Sequence, residues 1–259
     1  MVHSMYQFPE YYDWTSDGLH GDENYYRSLA QACQGPVLEL GSGTGRITLS
    51  IAQLGIKITG VDSEPLMVQA ARKKGENVGL SDQCQWIEEN MTTFELGEKF
   101  PLIIIPYRSF LHLTTERDQR AALDRIHQHL TDEGLLAFNI FVPHPEQLVE
   151  EDERFVSRGS YPIPGSKDIV EVTDFTRFSH FFQRGDIWRY YERLDETGRS
   201  LERIRTNFSL RYIYPVELGY LLHTAGFEIT ARWGGFQHEP FGPRSQELVV
   251  EARKLRDKG

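Results

Sequence analysis

Residues 37–62 narrow the fold more than any other stretch. Val37-Leu38-Glu39-Leu40 is a short apolar strand, and Gly41-Ser42-Gly43-Thr44-Gly45 a glycine turn. Arg46 to Leu54 has helical character and is closed by Gly55, and Ile56 to Val61 forms the next strand, which ends on Asp62. Glycines let the backbone turn sharply and approach a ligand closely, and the helix that follows aims N–H groups at it. A carboxylate about 20 residues on, at the end of the second strand, can accept both hydroxyls of a ribose. The combination predicts a site for an adenosine-containing cofactor.

The rest of the chain extends this unit. Glu23 to Ala30 reads as a helix that must stop before Gly35-Pro36, and Asp62-Ser63-Glu64-Pro65 starts another. Cys84 to Ile87 is a short strand, and Leu102-Ile103-Ile104-Ile105 is the most apolar run, as a central parallel strand requires. Thr115 and Asp118 fit a capping box for a helix from Thr115 to Leu130, with Leu123 and Ile126 on its apolar face. Its His127 and His129 are expected at the surface. Gly134 then leads into the strand Leu135 to Val142. Strands alternating with helices of this length imply an α/β fold with a doubly wound, mostly parallel sheet.

At Pro143-His144-Pro145 helical spacing gives way to extended, aromatic-rich segments. Ile169 to Phe182, Ile187 to Leu194 and Leu201 to Tyr212 are expected strands of a small antiparallel β-subdomain. Gln183-Arg184-Gly185-Asp186 and Asp195-Glu196-Thr197-Gly198 are its turns. In the last strand Ile204, Phe208, Leu210 and Tyr212 share one face, and Arg203, Arg205, Asn207 and Arg211 the other. Pro215 to Ala225 is a helix capped by Gly226, and Phe227 to Trp233 and Glu247 to Ala252 bring the main sheet to seven strands. The expected organisation is an N-terminal cap and Rossmann-like core over 1–142, an insert over 143–212, and a return to the core over 213–259.

Composition limits the partners. Against 38 Asp and Glu stand 28 Lys and Arg, a net charge of −10, so nucleic acid is not an expected partner. The two cysteines, Cys33 and Cys84, have neither disulfide nor zinc spacing, and no metal site is expected. The aromatic, acidic N-terminus is unlike a secretion signal, and no run reaches the ~18 apolar residues of a membrane span. A cytoplasmic protein is the expectation.

The identity of the cofactor turns on details. Dinucleotide sites use GxGxxG, whereas here the pattern is GxGxG with Arg46 in the last glycine's place. A carboxylate such as Glu39 repels a pyrophosphate but favours the ammonium or sulfonium of S-adenosylmethionine. From Val37 to Thr48 and from Gly60 to Met67 the chain resembles the class I S-adenosylmethionine-dependent methyltransferases of the small-molecule group. The likeness continues through Thr131-Asp132-Glu133-Gly134-Leu135-Leu136 and Leu221-Leu222-His223-Thr224-Ala225-Gly226-Phe227. It implies that Gly41, Ser42 and Gly43 pass beneath the methionine part of S-adenosylmethionine and that Asp62 binds its ribose. Ser63 and Met67 would flank the adenine, and Asn90-Met91 stands where the group usually has an acidic and an apolar residue. Tyr12, Tyr25 and Tyr26 resemble the aromatic cap of the group, and S-adenosylhomocysteine would be the product.

Ligands of open α/β sheets bind beyond the carboxyl ends of the strands. Pro106 to His112 therefore borders both the methyl group and a small-molecule acceptor, with Tyr107 and His112 placed to act as base or to orient the acceptor oxygen or nitrogen. Phe178, His180, Phe182, Trp188, Tyr190 and Tyr191 of the insert could roof the acceptor or form a homodimer surface. Two rival readings are an NAD-dependent oxidoreductase, disfavoured by GxGxG and Glu39, and a non-catalytic cofactor-binding protein.

Overall fold

The structure, a computed structural model, describes residues 3–33 and 35–255. In chain order its elements are β1 (His3–Ser4), α1 (Pro9–Thr15), α2 (Asp22–Cys33), β2 (Val37–Leu40), α3 (Arg46–Ala52), β3 (Ile58–Asp62), α4 (Pro65–Asn77), β4 (Cys84–Glu88) and β5 (Phe100–Ile105). They continue with α5 (Glu116–His129), β6 (Leu130–Phe141), α6 (Pro145–Glu151), β7 (Phe155–Pro162), β8 (Ile169–Ser179), β9 (Arg184–Leu194), β10 (Ser200–Arg211), α7 (Pro215–Thr224), β11 (Phe227–Trp233) and β12 (Glu247–Lys254). The described residues divide into two compact units, one of the segment up to Asp17 with Pro143–Tyr212, the other of Gly18–Val142 with Ile213 onward.

The second unit is the doubly wound, mostly parallel seven-stranded sheet, in the order β11-β12-β6-β5-β2-β3-β4, with only β12 antiparallel to its neighbours. From β2 the chain runs outward through β3 and β4 on one side, and from β5 through β6 on the other, where β12 is inserted between β6 and the edge strand β11. The strand order therefore reverses between β2 and β5, where open α/β sheets bind ligands. Leu102–Ile105 of β5 are wholly buried beside Val37 and Leu38 of β2, as their uninterrupted apolar sequence requires. Thr115 caps α5 by accepting from the Asp118 N–H, and Gly226, at φ +83°, ends α7. One helical expectation is corrected here: Leu130 opens β6 instead of closing α5. So is a surface expectation, because His129 is buried: its Nε2 accepts from the Leu96 N–H and its Nδ1 donates to the Arg125 carbonyl.

The first unit is a five-stranded sheet in the order β1-β10-β9-β8-β7. It is larger than the three strands read from sequence, for physical reasons. β7 alternates mostly polar residues and bulges at Gly159, while α6 is seven residues long with Leu148 alone buried. β1 is two residues that join β10 in parallel at Thr206 and Asn207. The first hairpin also turns earlier than expected: β8 stops at Ser179, and Gln183 takes the left-handed φ of +53°. The second turn forms as read, with Asp195 Oδ1 accepting from the Thr197 and Arg199 N–H groups.

Alternation sorts the aromatic residues of this sheet onto opposite faces. Tyr191 is buried against Tyr11, whereas Trp188 and Tyr190 share the other face with Phe155 and Phe175 and lie under the guanidiniums of Arg177 and Arg203. The arginine face is thus an arginine–aromatic face, and Arg211, read from sequence onto the same face, is buried.

Candidate functional site

The glycine turn is built by three left-handed glycines, Gly41, Gly43 and Gly45, at φ of +72°, +55° and +88°. The N–H groups of Gly41 and Ser42 both point to the Val61 carbonyl, which ties the turn to the end of β3. Asp62 completes the tie: its Oδ2 accepts from the Gly43 N–H at 2.7 Å and its Oδ1 from the Glu64 N–H at 2.9 Å. Burial raises its carboxyl above the usual value, and these backbone donors oppose the shift. A carboxylate offers about four acceptor positions, so those not used by the backbone remain for vicinal hydroxyls, and this acceptor set fits a ribose. Gly45 has a packing reason as well, since a Cβ there would lie 2.5 Å from the Trp86 ring.

Glu39 lies in the strand just before the turn, buried, with Thr48 Oγ1 donating to its Oε2. Burial pushes its carboxyl up to about 8 against the Thr48 hydrogen bond and the charge of Arg46. Between pH 4.5 and 8 the folded protein therefore holds a proton that the unfolded chain releases, and stability falls as pH rises through that window. Unfolding of wild type and Glu39→Gln across pH 5 to 8 should show the wild type losing about 1 kcal/mol per pH unit relative to the variant. Parallel pH profiles would mean that Glu39 is ionised throughout.

The other sequence-predicted residues fall into distinct places. Met91 and Gly41 meet: a Cβ on Gly41 would lie 3.6 Å from Met91 Cε and 2.6 Å from Ser109 Cβ. Ser63 is exposed at the end of β3, while Met67 is wholly buried in α4. Asn90 is exposed, and its Oδ1 accepts from the Thr92 N–H and hydroxyl, closing a local turn. Pro106 is buried and its carbonyl accepts from the Ser109 N–H and hydroxyl. Tyr107 and Arg108 then take consecutive left-handed conformations, and His112 ends the short 3-10 turn Ser109–His112, half-buried. Tyr12 belongs to α1 of the five-stranded unit.

Tyr26 is fully enclosed, and its hydroxyl donates to Asn139 Oδ1 at 3.2 Å. Tyr26→Phe should lower the unfolding free energy by about 1 kcal/mol in a urea titration, because a buried acceptor loses its donor. An unchanged midpoint would show that this hydroxyl contributes nothing.

Sequence reasoning gave no bracing role to the polar residues of this region. Arg46 bonds both oxygens of buried Asp22, at 2.9 and 2.5 Å, and its guanidinium lies 5.7 Å from the centre of the Tyr107 ring. Arg108 pairs with Glu247, which also accepts from Asn139 Nδ2 at 2.9 Å. One signal was readable: Asn139 is a lone amide in an apolar strand, and buried amides demand partners. Among the described residues no group of His, Cys, Asp or Glu could hold a metal, and no helix is long and apolar enough to cross a membrane.

A family profile described as a methyltransferase domain matches residues 37–134, which include the glycine turn, Asp62 and the turn after β5. A putative methyltransferase of Geobacillus sp. (strain WCH70) is 29% identical over 172 residues, 63% of this chain and 66% of that one. The chain thus spans just under two thirds of that relative. The crystal structure of an S-adenosylmethionine-dependent methyltransferase from Clostridium acetobutylicum superposes with a TM-score of 0.80 over 96% of this chain and 98% of that one, at 14% identity. The amino pentose methyltransferase CalS10 from Micromonospora echinaspora gives 0.71 over 96% and 97%, at 18% identity. With its parallel sheet, left-handed glycine turn and Asp62 at the end of β3, the chain is similar in fold to the S-adenosylmethionine-dependent methyltransferases, and its residues 37–134 match a methyltransferase domain.

Proposed function

We propose that this protein transfers a methyl group from S-adenosylmethionine to an oxygen or nitrogen of a small molecule. The observation that carries the reading is the Asp62 carboxylate, held against the Gly43 N–H at the mouth of the strand-order reversal. Bound S-adenosylmethionine supplies an electrophilic methyl group on a sulfonium. Asp62 would hold the ribose, the Gly41–Gly43 backbone would lie under the methionine part, and Ser63 and Met91 would border the adenine. A cation brought near Glu39 would favour its carboxylate and lower its raised affinity for a proton.

Tyr107 and His112 are the residues proposed to orient the acceptor. In-line methyl transfer gains most from alignment, so their expected role is positioning, with proton removal only if the acceptor arrives protonated. An amino sugar, the acceptor class of CalS10 by its description, is the first candidate. A nicotinamide reading has a physical obstacle: Arg46 stands where a dinucleotide turn has its last glycine and is committed to Asp22.

The test is transfer of labelled methyl from S-adenosylmethionine to pools of amino sugars, amino acids and phenols, with unmodified tRNA in parallel. RNA is included because tRNA methyltransferases are among the relatives, one matching 45% of this chain. Label in a small-molecule pool is the expected result. Label in tRNA alone would overturn the acceptor class, and cofactor binding without any transfer would favour a binding protein.

A further inference from the structure

We infer that Asn139 and Glu247, which do not border the reacting groups as sequence places them, are positioning residues for the cofactor pocket. They hold the turn after β5 against the glycine turn. The inference rests on the cofactor reading above.

Tyr107 and Arg108 have φ of +54° and +64°, a region that a side chain with a Cβ disfavours, and two such residues in succession need an external hold. The structure supplies one at Arg108 from both backbone and side chain. Its guanidinium donates to Glu247 Oε1 through Nε at 2.9 Å and through Nη2. The other Glu247 oxygen accepts from Asn139 Nδ2 at 2.9 Å, and Asn139 Oδ1 accepts from the Arg108 backbone N–H at 3.5 Å. The bonds close a ring that begins and ends on Arg108. Tyr26 backs the ring through its bond to the same Asn139 oxygen.

Two members of the ring are set in the core, and the Arg108 guanidinium reaches them from a partly exposed position. Asn139 is fully buried in β6, and Glu247 is 9% exposed at the start of β12. Apolar residues at these positions would pack with no desolvation cost, and a buried polar cluster of this kind is better suited to specifying one conformation than to raising stability. The conformation it specifies reaches the pocket one residue later. Ser109 packs on Gly41, its hydroxyl 3.5 Å from the Gly41 carbonyl, on the face where a Gly41 side chain would otherwise sit. Displacing the turn therefore displaces one wall of the glycine turn.

Calorimetric titration with S-adenosylhomocysteine, beside thermal unfolding of the ligand-free protein, tests this on Glu247→Gln, Arg108→Gln and their double variant. Each single change should weaken binding about tenfold, and the double should bind no more weakly than the weaker single, because each opens the same ring. Arg125→Gln, which removes a pair with Glu95 and a bond to the Phe94 carbonyl, neither shared with this ring, should lower the melting temperature and leave the affinity unchanged. If a single variant does not fold, Arg108→Lys keeps the charge with fewer donors and should give a smaller loss of affinity. Unchanged affinity in the folded ring variants, or additive losses in the double, would overturn the inference. Failure of the wild type to bind S-adenosylhomocysteine would overturn the cofactor reading itself, and the inference with it.

Discussion

Saturating S-adenosylhomocysteine raises the unfolding free energy of the wild-type protein, and Asp62→Ala abolishes that rise. At 100 times its dissociation constant a ligand that binds only the folded state adds about 2.7 kcal/mol, a shift of several degrees in melting temperature. On the proposed reading Asp62 would supply the acceptor for ligand hydroxyls, and it fixes Gly43 and Glu64 through their N–H groups, so removing it should cost both the contact and the shape of the turn. The ligand-free variant should melt lower too, since two backbone donors lose their partner. Asp62→Asn separates the two effects, because an amide oxygen can keep one backbone donor while the second acceptor oxygen is lost. A full ligand shift in Asp62→Ala, or a shift given by NAD and not by S-adenosylhomocysteine, would sink the assignment of this site.

Gly41→Ala is the second large effect. Its φ of +72° is disfavoured for any residue with a Cβ, a cost of about 1 kcal/mol or more, and the new methyl would lie 2.6 Å from Ser109 Cβ. No flexible end of a side chain can swing away there, because the clashing atom is a Cβ, so backbone must move. The expected result is a destabilisation of about 2–4 kcal/mol in denaturant unfolding and no measurable affinity for S-adenosylhomocysteine. Gly55→Ala is the comparison: it shares a left-handed φ of +77° but meets nothing within 4 Å. It should cost about 1 kcal/mol and leave binding intact. Equal losses in the two variants would show that strain alone, and not the closeness of Ser109, governs Gly41.

What could be read beforehand follows from the range of the interactions. The strand, glycine turn, helix and second strand of residues 37–62 are local, and each has its own punctuation, so their order and the Asp62 position were legible in sequence. The α5 cap at Thr115 was legible for the same reason. The Arg108–Glu247 pair joins residues 139 positions apart, and it can be anticipated only once β12 is known to lie beside β6. β7 gave no period to recognise, because Gly159 shifts its register midway and neither face is fully apolar. The first hairpin misled for a chemical reason. Gly185 suggested a turn there, yet it lies within β9 against the Phe178 ring, and the left-handed residue of the turn is Gln183.

The parallel seam between β1 and β10 has a consequence for how the five-stranded unit comes into being. His3 and Ser4 pair with Thr206 and Asn207, and Tyr11 packs on Tyr191 and donates to Glu202, so a segment made first during synthesis finds its partners near residue 200. The bonds of Asp62 to Gly43 and Glu64 close within 19 residues. On a ribosome the β2–β3 unit can form early, while the aromatic segment waits for about 200 further residues to emerge. Nascent-chain proteolysis would see it gain protection only after β10 has emerged.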